Sequence, residues 1–466
     1  DETIRLLSNI NYNSGVSIND MNITFDLNGY TLNVINPNDT GAYLDQCGLY
    51  VSGVSAVNIT GTGEFNVQGN RYGVYATCLT AGDTNVTVTN ASSPAGTGVY
   101  SDKATVTVKN DINSGYEGAF ANTESNITIE GDVIVHGDSS SGLNMIFSST
   151  FTVYGDISVT GDYMEGIRGN DSCSVTVHGN VDCTGIGTVG VSSNNTIVVV
   201  NGNVRAHMTG IKARSGSNIT VNGDITSYGT SDDGLLGGIR NAVYAYAGST
   251  VTVHGNLYSE NIGVYITDEW GARISSTVTV NGFIQAAARA NSSYVYFATD
   301  DIGMIFEDGL LDDPVMIGYR KYNNASGVVY VSKFGGGTGT TADPYIINHS
   351  HQLYNVRENL ADNFQLGNDI DMTYFVPDNG WMPIGRQARQ FSGIFDGNNK
   401  IISNLKMQRE TLAVTPRYLG LFAYTSTTAQ IKDMSLTNVN IRGWDNIGSV
   451  VGYNNGHVLN VNASVT

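Results

Sequence analysis

Proline is scarce in this chain, at 7 of 466 residues, and so is charge, at 14% against the roughly 25% usual in soluble domains. No apolar run approaches the ~20 residues that cross a bilayer, so the sequence offers no candidate transmembrane helix. No Lys/Arg cluster interrupts a formal charge of -19. The field of such a chain repels phosphate backbones and anionic lipid, which excludes nucleic acid as an expected partner. No apolar period of 3.6 residues is sustained, which excludes a helical fold. There is no Ser/His/Asp order, no HExxH and no phosphate-binding glycine loop. Cysteine is limited to Cys47, Cys78, Cys173 and Cys183, whose spacing fits neither a zinc site nor a redox pair. Two disulfides in an exported protein, with three connectivities, and buried free thiols both remain open.

What is present is a core's worth of apolar residues, 41%, together with 56 glycines, too apolar a mixture for disorder. The chain opens at Asp1 without a methionine or a signal-like segment and reads as a processed mature fragment. Asn-x-Ser/Thr begins at thirteen places, among them Asn22, Asn58, Asn85, Asn126, Asn218 and Asn324. These are candidate N-glycosylation sites, although chance in an Asn/Ser/Thr-rich chain gives roughly nine.

The organising feature is a repeat. STVTVHGN at 249–256 returns as CSVTVHGN at 173–180, SNITVNGD at 217–224 and STVTVNGF at 276–283. Its glycine falls at Gly131, Gly155, Gly179, Gly202, Gly223, Gly255 and Gly282, in steps of 24, 24, 23, 21, 32 and 27 residues. A second pattern lies between the copies, as in GVYAT at 73, GVYSD at 98, GIRGN at 166 and GVYIT at 263. Strict alternation, β-branched residues and Gly/Asn/Asp at the breaks are strand and turn signals. A unit this short cannot bury its own apolar face, whereas stacked copies at ~4.8 Å can. The expected fold is therefore all-β, a right-handed parallel β-helix of about eleven coils between about residues 45 and 310.

This register predicts the role of each repeated residue. Val251 and Val253 point into the bore and Thr250 and Thr252 outward. The position of His178 and His254 is filled elsewhere by Lys109, Glu130, Tyr154, Asn201 and Asn222, so it is expected to be an outward corner and not a reactive group. The glycine after it is expected to supply a positive φ. Thr105/Thr107, Thr150/Thr152, Thr250/Thr252 and Thr277/Thr279 form a Thr-x-Thr row. It resembles what β-solenoid ice-binding proteins present to ice, and it equally suits an ordinary exposed strand. Asp111, Asp132 and Asp156 stack just past the glycine, where they are weak Ca²⁺ candidates or solvated turn caps.

The opening ITFDLNGYTLNV at 23–34 resembles the start of surface β-helix domains, with residues 1–22 as the expected cap and 1–44 as the cap and first strands. The β-helix is placed at 45–317 and a closing hairpin and linker at 318–343. From 344 the vocabulary changes, and one short helix is expected in HQLYNVRENLAD, with Asn348 or Ser350 as its N-cap. LGNDIDMT, GWMPIG, FSGIFDGNNKIISNL, YLGLFAY and IGSVVGYNNGHVLNVNASV resemble, in order, the segments of GLUG-motif proteins. The match covers roughly 335–466, with Ala423 where the family usually has glycine. The resemblance implies a second β-solenoid at 344–466 with an adhesive or spacer role, cut off within a repeat at Thr466.

Because parallel β-helices also carry polysaccharide lyases and hydrolases, an enzyme is the rival reading. Its candidates are Asp232 and Asp233 in TSDDGLLGG and Asp300 and Asp301 in ATDDIG, against a reading as solvated turn carboxylates. The reading favoured by the sequence is a non-enzymatic, secreted, structural or adhesive protein of a prokaryotic cell surface. It would need no cofactor and would associate with itself, with other surface proteins or with glycans.

Overall fold

Alternation along each strand decides which way its side chains face. In Thr250–Val253 the two valines are buried and the two threonines lie toward solvent, and the same order holds in Asn126–Ile129, Thr150–Val153 and Ser174–Val177. The computed structural model describes residues 2–229, 240–267, 274–286, 293–297, 316, 318–373, 380–409 and 418–465. From Glu2 to Phe297 the described strands wind into three parallel sheets, and each coil contributes one strand to each sheet in turn. Eleven complete coils run from Glu2 to Thr267, and Ser276–Val280 and Ser293–Phe297 belong to a twelfth. The fold is a parallel β-helix.

We call the three sheets the Thr, short and Tyr faces. On the Thr face, Asn85 pairs with Thr105, Thr105 with Asn126, Asn126 with Thr150 and Thr150 with Ser174. The short face is built of three-residue strands such as Val133–Val135, Ile157–Val159 and Val181–Cys183, in register through Val135, Val159 and Cys183. On the Tyr face, six-residue strands such as Thr97–Asp102 and Thr209–Arg214 complete the turn. The bore is a file of Val, Ile and Leu, with Val106, Ile127, Val153, Ile157 and Val191 fully buried. Each such side chain contributes roughly 1.5–3 kcal/mol.

The coil begins earlier than its sequence pattern does. Residues 1–22, expected as a cap, are themselves strand: Glu2–Arg5 pairs with residues 23–26, and Ile10–Tyr12 with residues 32–34. The first coil lacks the repeat's threonine and glycine signature, and most of its strand residues are exposed.

The backbone divides into two compact units, one holding 1–279, 293–302 and 323–329 and the other 280–292, 303–322 and 330–466. Strands Tyr319–Asn324 and Gly327–Ser332 flank a two-residue turn, the hairpin expected near 318–334. In the second unit Tyr345–Ile347, Phe364–Leu366, Ile394–Ser403, Gln430–Gly443 and His457–Val465 stack in parallel. Its core holds Phe364, Phe391, Phe395, Phe422 and Trp381 in one buried cluster, and the Trp381 indole N–H donates to the Leu421 carbonyl at 3.0 Å.

The short helix is Ser350–Asn355, continued as a 3-10 turn through Glu358. Its N-cap is neither Asn348 nor Ser350. His349 takes that place, accepting from the His351 N–H, while the Asn348 N–H donates to Gln352 Oε1 at 2.7 Å. Imidazole nitrogen can cap a helix only when it carries no proton at that atom, so the sequence preference for short oxygen-bearing side chains pointed elsewhere.

Candidate functional site

The corner between the Thr and short faces holds the residues that the repeat makes conspicuous. Lys109, Glu130, Tyr154, His178, Asn201 and Asn222 are exposed there and join along the axis. Lys109 pairs with Glu130, Tyr154 stacks on His178 at 4.7 Å, and Asn201 bonds to both His178 at 3.2 Å and Asn222 at 2.7 Å. Chemistry changes from coil to coil while position does not, so the histidines are links in a surface ladder.

The glycine that follows does not have positive φ. Gly131, Gly155, Gly179, Gly202 and Gly223 are absent from the left-handed residues, and the reason for glycine is axial crowding. A Cβ on Gly179 would lie 2.3 Å from Asp156 Oδ1 and 2.4 Å from the Gly155 carbonyl oxygen, and the other glycines of the column meet the same wall. Left-handed backbone falls instead at the corner between the Tyr and Thr faces, at Lys103, Asn195, Ser215 and Ala247, with φ of 59, 53, 53 and 52°.

The stacked aspartates have protein partners. Asp111 Oδ1 accepts the N–H of Asp132 at 2.8 Å, Asp132 Oδ1 that of Asp156 at 2.8 Å, and Asp156 Oδ1 that of Asn180 at 2.6 Å. The column continues through Asn203, Asp224 and Asn256. Aspartate and asparagine alternate freely because the acceptor oxygen is common to both. Among the described residues no group of three or more His, Cys, Asp or Glu is arranged to hold a metal ion.

The other candidates separate. All four cysteines are free and buried, with no disulfide joining them. Cys183 lies in the bore beside Val159, and Cys173 directly precedes the strand Ser174–Val177, as buried Ser149 and Thr196 precede theirs. Burial pushes the Cys47 thiol up to about 12 and raises that of Cys183 as well, which leaves both without thiolate reactivity. The Thr-x-Thr row is interrupted by Ile197 and Val199, and Ile197 is 54% exposed. Asn22, Asn58, Asn85, Asn126 and Asn218 are exposed on the Thr face and Asn324 is partly so. Asp232, Asp233, Asp300 and Asp301 lie outside the described residues.

The feature with the most chemistry is on the Tyr face. Tyr50, Tyr75, Tyr100 and Phe120 are in register, followed by Asn144, Arg168, Ser192 and Lys212, then Tyr244, Tyr265 and Tyr296. Two aromatic tracts thus flank a polar one. Tyr75 and Tyr100 stack at 4.5 Å with planes 13° apart, and Tyr100 and Phe120 at 5.1 Å with planes 19° apart. Tyr72 sets its edge against Tyr100 at 5.5 Å. The glycine two residues before Tyr100 has no room for a side chain, because a Cβ on Gly98 would meet Ile112 Cγ2 at 2.3 Å and the Gly118 carbonyl at 2.7 Å.

The first tract ends at a groove of about 400 Å³ beside Arg71, Tyr72, Tyr100, Tyr116, Glu117 and Phe120. Glu117 is 8% exposed. Its Oε1 accepts from Asn144 Nδ2 at 3.0 Å and Ser141 Oγ at 3.4 Å, and Thr97 Oγ1 approaches Oε2 at 3.5 Å. Burial raises its pKa, opposed by those hydrogen bonds and by Arg168, which itself pairs with Glu165. The result is a fixed, partly desolvated carboxyl at the foot of a ring stack. The GVY copies are visible in the sequence, but the column is not. Tyr50, Phe120 and Tyr244 stand in CGLYVS, EGAFAN and NAVYAY, so only strand pairing shows that they share it.

These features define a class: a parallel β-helix whose outer surface is a set of axial ladders. No family model matches the chain, and no solved structure matches it. It is 33% identical over 141 residues to a protein of Evansella cellulosilytica provisionally named a Gly-rich membrane protein, covering 29% of this chain and 16% of that one. It is 31% identical over 153 residues to halomucin of Haloquadratum walsbyi, covering 30% of this chain and 2% of that one. The chain therefore spans a small part of the length of either relative. No helix among the described residues is long and apolar enough to cross a membrane.

Proposed function

We propose that this chain is a rigid, non-enzymatic segment of a secreted or cell-surface protein of a prokaryote, acting as a structural or adhesive β-solenoid. The observation that carries this reading is axial continuity. Parallel pairing joins coil to coil by backbone hydrogen bonds, and the Asp/Asn column adds side-chain ones from Asp111 to Asn256, an arrangement that resists extension and bending. The similarity to a Gly-rich membrane protein and to halomucin supports a place at the cell surface, as does the resemblance of 335–466 to GLUG-motif proteins. Exposed Asn-x-Ser/Thr sites on the Thr face suit a glycosylated surface.

Electron microscopy of negatively stained native material tests the reading. Stiff rods on cells support an adhesin stalk, and regular fibres or sheets support self-assembly. Turnover of pectin or alginate by the purified chain, lost in Asp232→Asn or Asp300→Asn, would overturn it in favour of an enzyme. The interruption at Ile197 breaks a flat ice-matching surface, so no thermal hysteresis is expected.

A further inference from the structure

We infer that the groove beside Phe120 is a binding site for a neutral saccharide, one or two pyranose units of a glycan chain. The ring stack explains why the site is at this end of the tract. Tyr100 stacks on Tyr75 on one side and on Phe120 on the other, whereas Phe120 is followed in its column by Asn144. Phe120 thus ends the stack, and its ring lines the groove together with those of Tyr72 and Tyr100, an aromatic wall that the C–H face of a pyranose matches.

The polar groups fit the other side of a sugar. Glu117 is held by Asn144 and Ser141 through Oε1, and a carboxyl carries more lone-pair sites than these bonds occupy. Arg71, Tyr72 and Tyr116 line the same groove, with Arg71 Nε donating toward the Tyr72 hydroxyl at 3.5 Å. Planar donors and acceptors around one aromatic face are what vicinal hydroxyls require, and a few fixed polar groups within a ring-lined recess are the usual anatomy of a small-ligand site.

Charge narrows the choice. An anionic sugar would meet Glu117 and a chain of net charge -19, and a cation would meet Arg71 in the wall and the field of Arg168 on Glu117. A neutral polyol meets neither penalty. Arg71 and Tyr72, Thr97 and Tyr100, and Tyr116, Glu117 and Phe120 come from three successive coils, so the groove runs about 10 Å along the axis.

This inference adds to the structural reading and does not depend on it, since a rod can stand or assemble with or without a sugar site. The test is titration of the full chain with cellotetraose, maltotetraose and mannotetraose, with tetragalacturonate as the anionic control, followed by calorimetry or ligand-observed NMR. At least one neutral probe is expected to saturate the chain at one site. Phe120→Ala should weaken it roughly tenfold or more, and Glu117→Gln should weaken it less. Tyr265→Ala, in the other aromatic tract, should leave it unchanged. Should Phe120→Ala fold poorly, Phe120→Leu removes the ring face while keeping bulk and should show the same loss. Absence of saturable binding to all three neutral probes, equal loss in Tyr265→Ala, or preference for tetragalacturonate would each overturn the inference. None of these outcomes bears on whether rods or fibres are seen by microscopy.

Discussion

At the residue scale, the stacking distance is the constraint that chooses side chains. A glycine such as Gly179 is fixed by what lies one coil below it, so Gly179→Ala is expected to cost about 1–3 kcal/mol through forced displacement of Gly155 and Asp156. Gly216 is a different case, with φ +77° and nothing within 4 Å of an added Cβ. Gly216→Asn, which tolerates the left-handed region, should be near neutral, and urea denaturation of the two variants separates crowding from backbone conformation. In the Asp/Asn column, Asp132→Ala removes the acceptor of the Asp156 N–H and should cost about 1 kcal/mol, whereas Asp132→Asn keeps it and should cost less. The first residue of GVY is thus glycine for the same steric reason as the last of the VHG corner, although sequence alone implied a dihedral reason for the latter.

At the scale of single elements, the helix Ser350–Asn355 carries a titratable cap. Desolvation lowers the His349 pKa to about 4, and that of His351 lies well below 6.5, through burial, His349 and Arg320. His349 stacks on Phe283 at 4.2 Å and lies 3.0 Å from His351 between Nδ1 atoms. His349 is thus neutral in the fold and protonated in the unfolded chain between about pH 4 and 6.5, and His351 is likewise neutral in the fold below 6.5 where the unfolded chain protonates it. The unfolded state binds more protons there, so stability falls as pH drops through 6.5, and the part of the loss due to His349 levels off near 4. The double variant His349→Asn/His351→Gln retains a good cap and should flatten this dependence. Denaturation midpoints at pH 7 and pH 5 measure it.

At the scale of the whole β-helix, stability is a sum of neighbouring coils. Phe151 is buried at 1% exposure between Ile127 and Val175, and Phe151→Ala should cost about 3–5 kcal/mol. Because each coil templates the next, hydrogen exchange should speed up in the coils of Ile127 and Val175 as well, and more than in coils further along the axis. The long reach of the Tyr-face column has the same origin. Coil length varies from 21 to 32 residues in the repeat, yet pairing brings Tyr50, Tyr75, Tyr100 and Phe120 into one file.

Alternation and β-branched content made the fold class legible, since a period of two admits only strands and a 24-residue repeat without helices admits only a solenoid. The outward place of His178 and His254 followed from the variety at their position, and the parallel stack followed from repetition. The start of the winding did not, because Glu2–Asn19 carries strand without the repeat's glycine. Neither did the His349 cap, the purpose of the Gly155–Gly179 column, nor the groove at Glu117. The glycine column and the groove depend on which residues of different coils lie 4–5 Å apart, a distance set by backbone pairing between segments whose separation along the chain is irregular, and the cap depends on a buried, unprotonated imidazole nitrogen. Local order was written in the sequence as periodicity, while the meeting of Phe120, Glu117 and Asn144 was decided only when the coils closed upon one another.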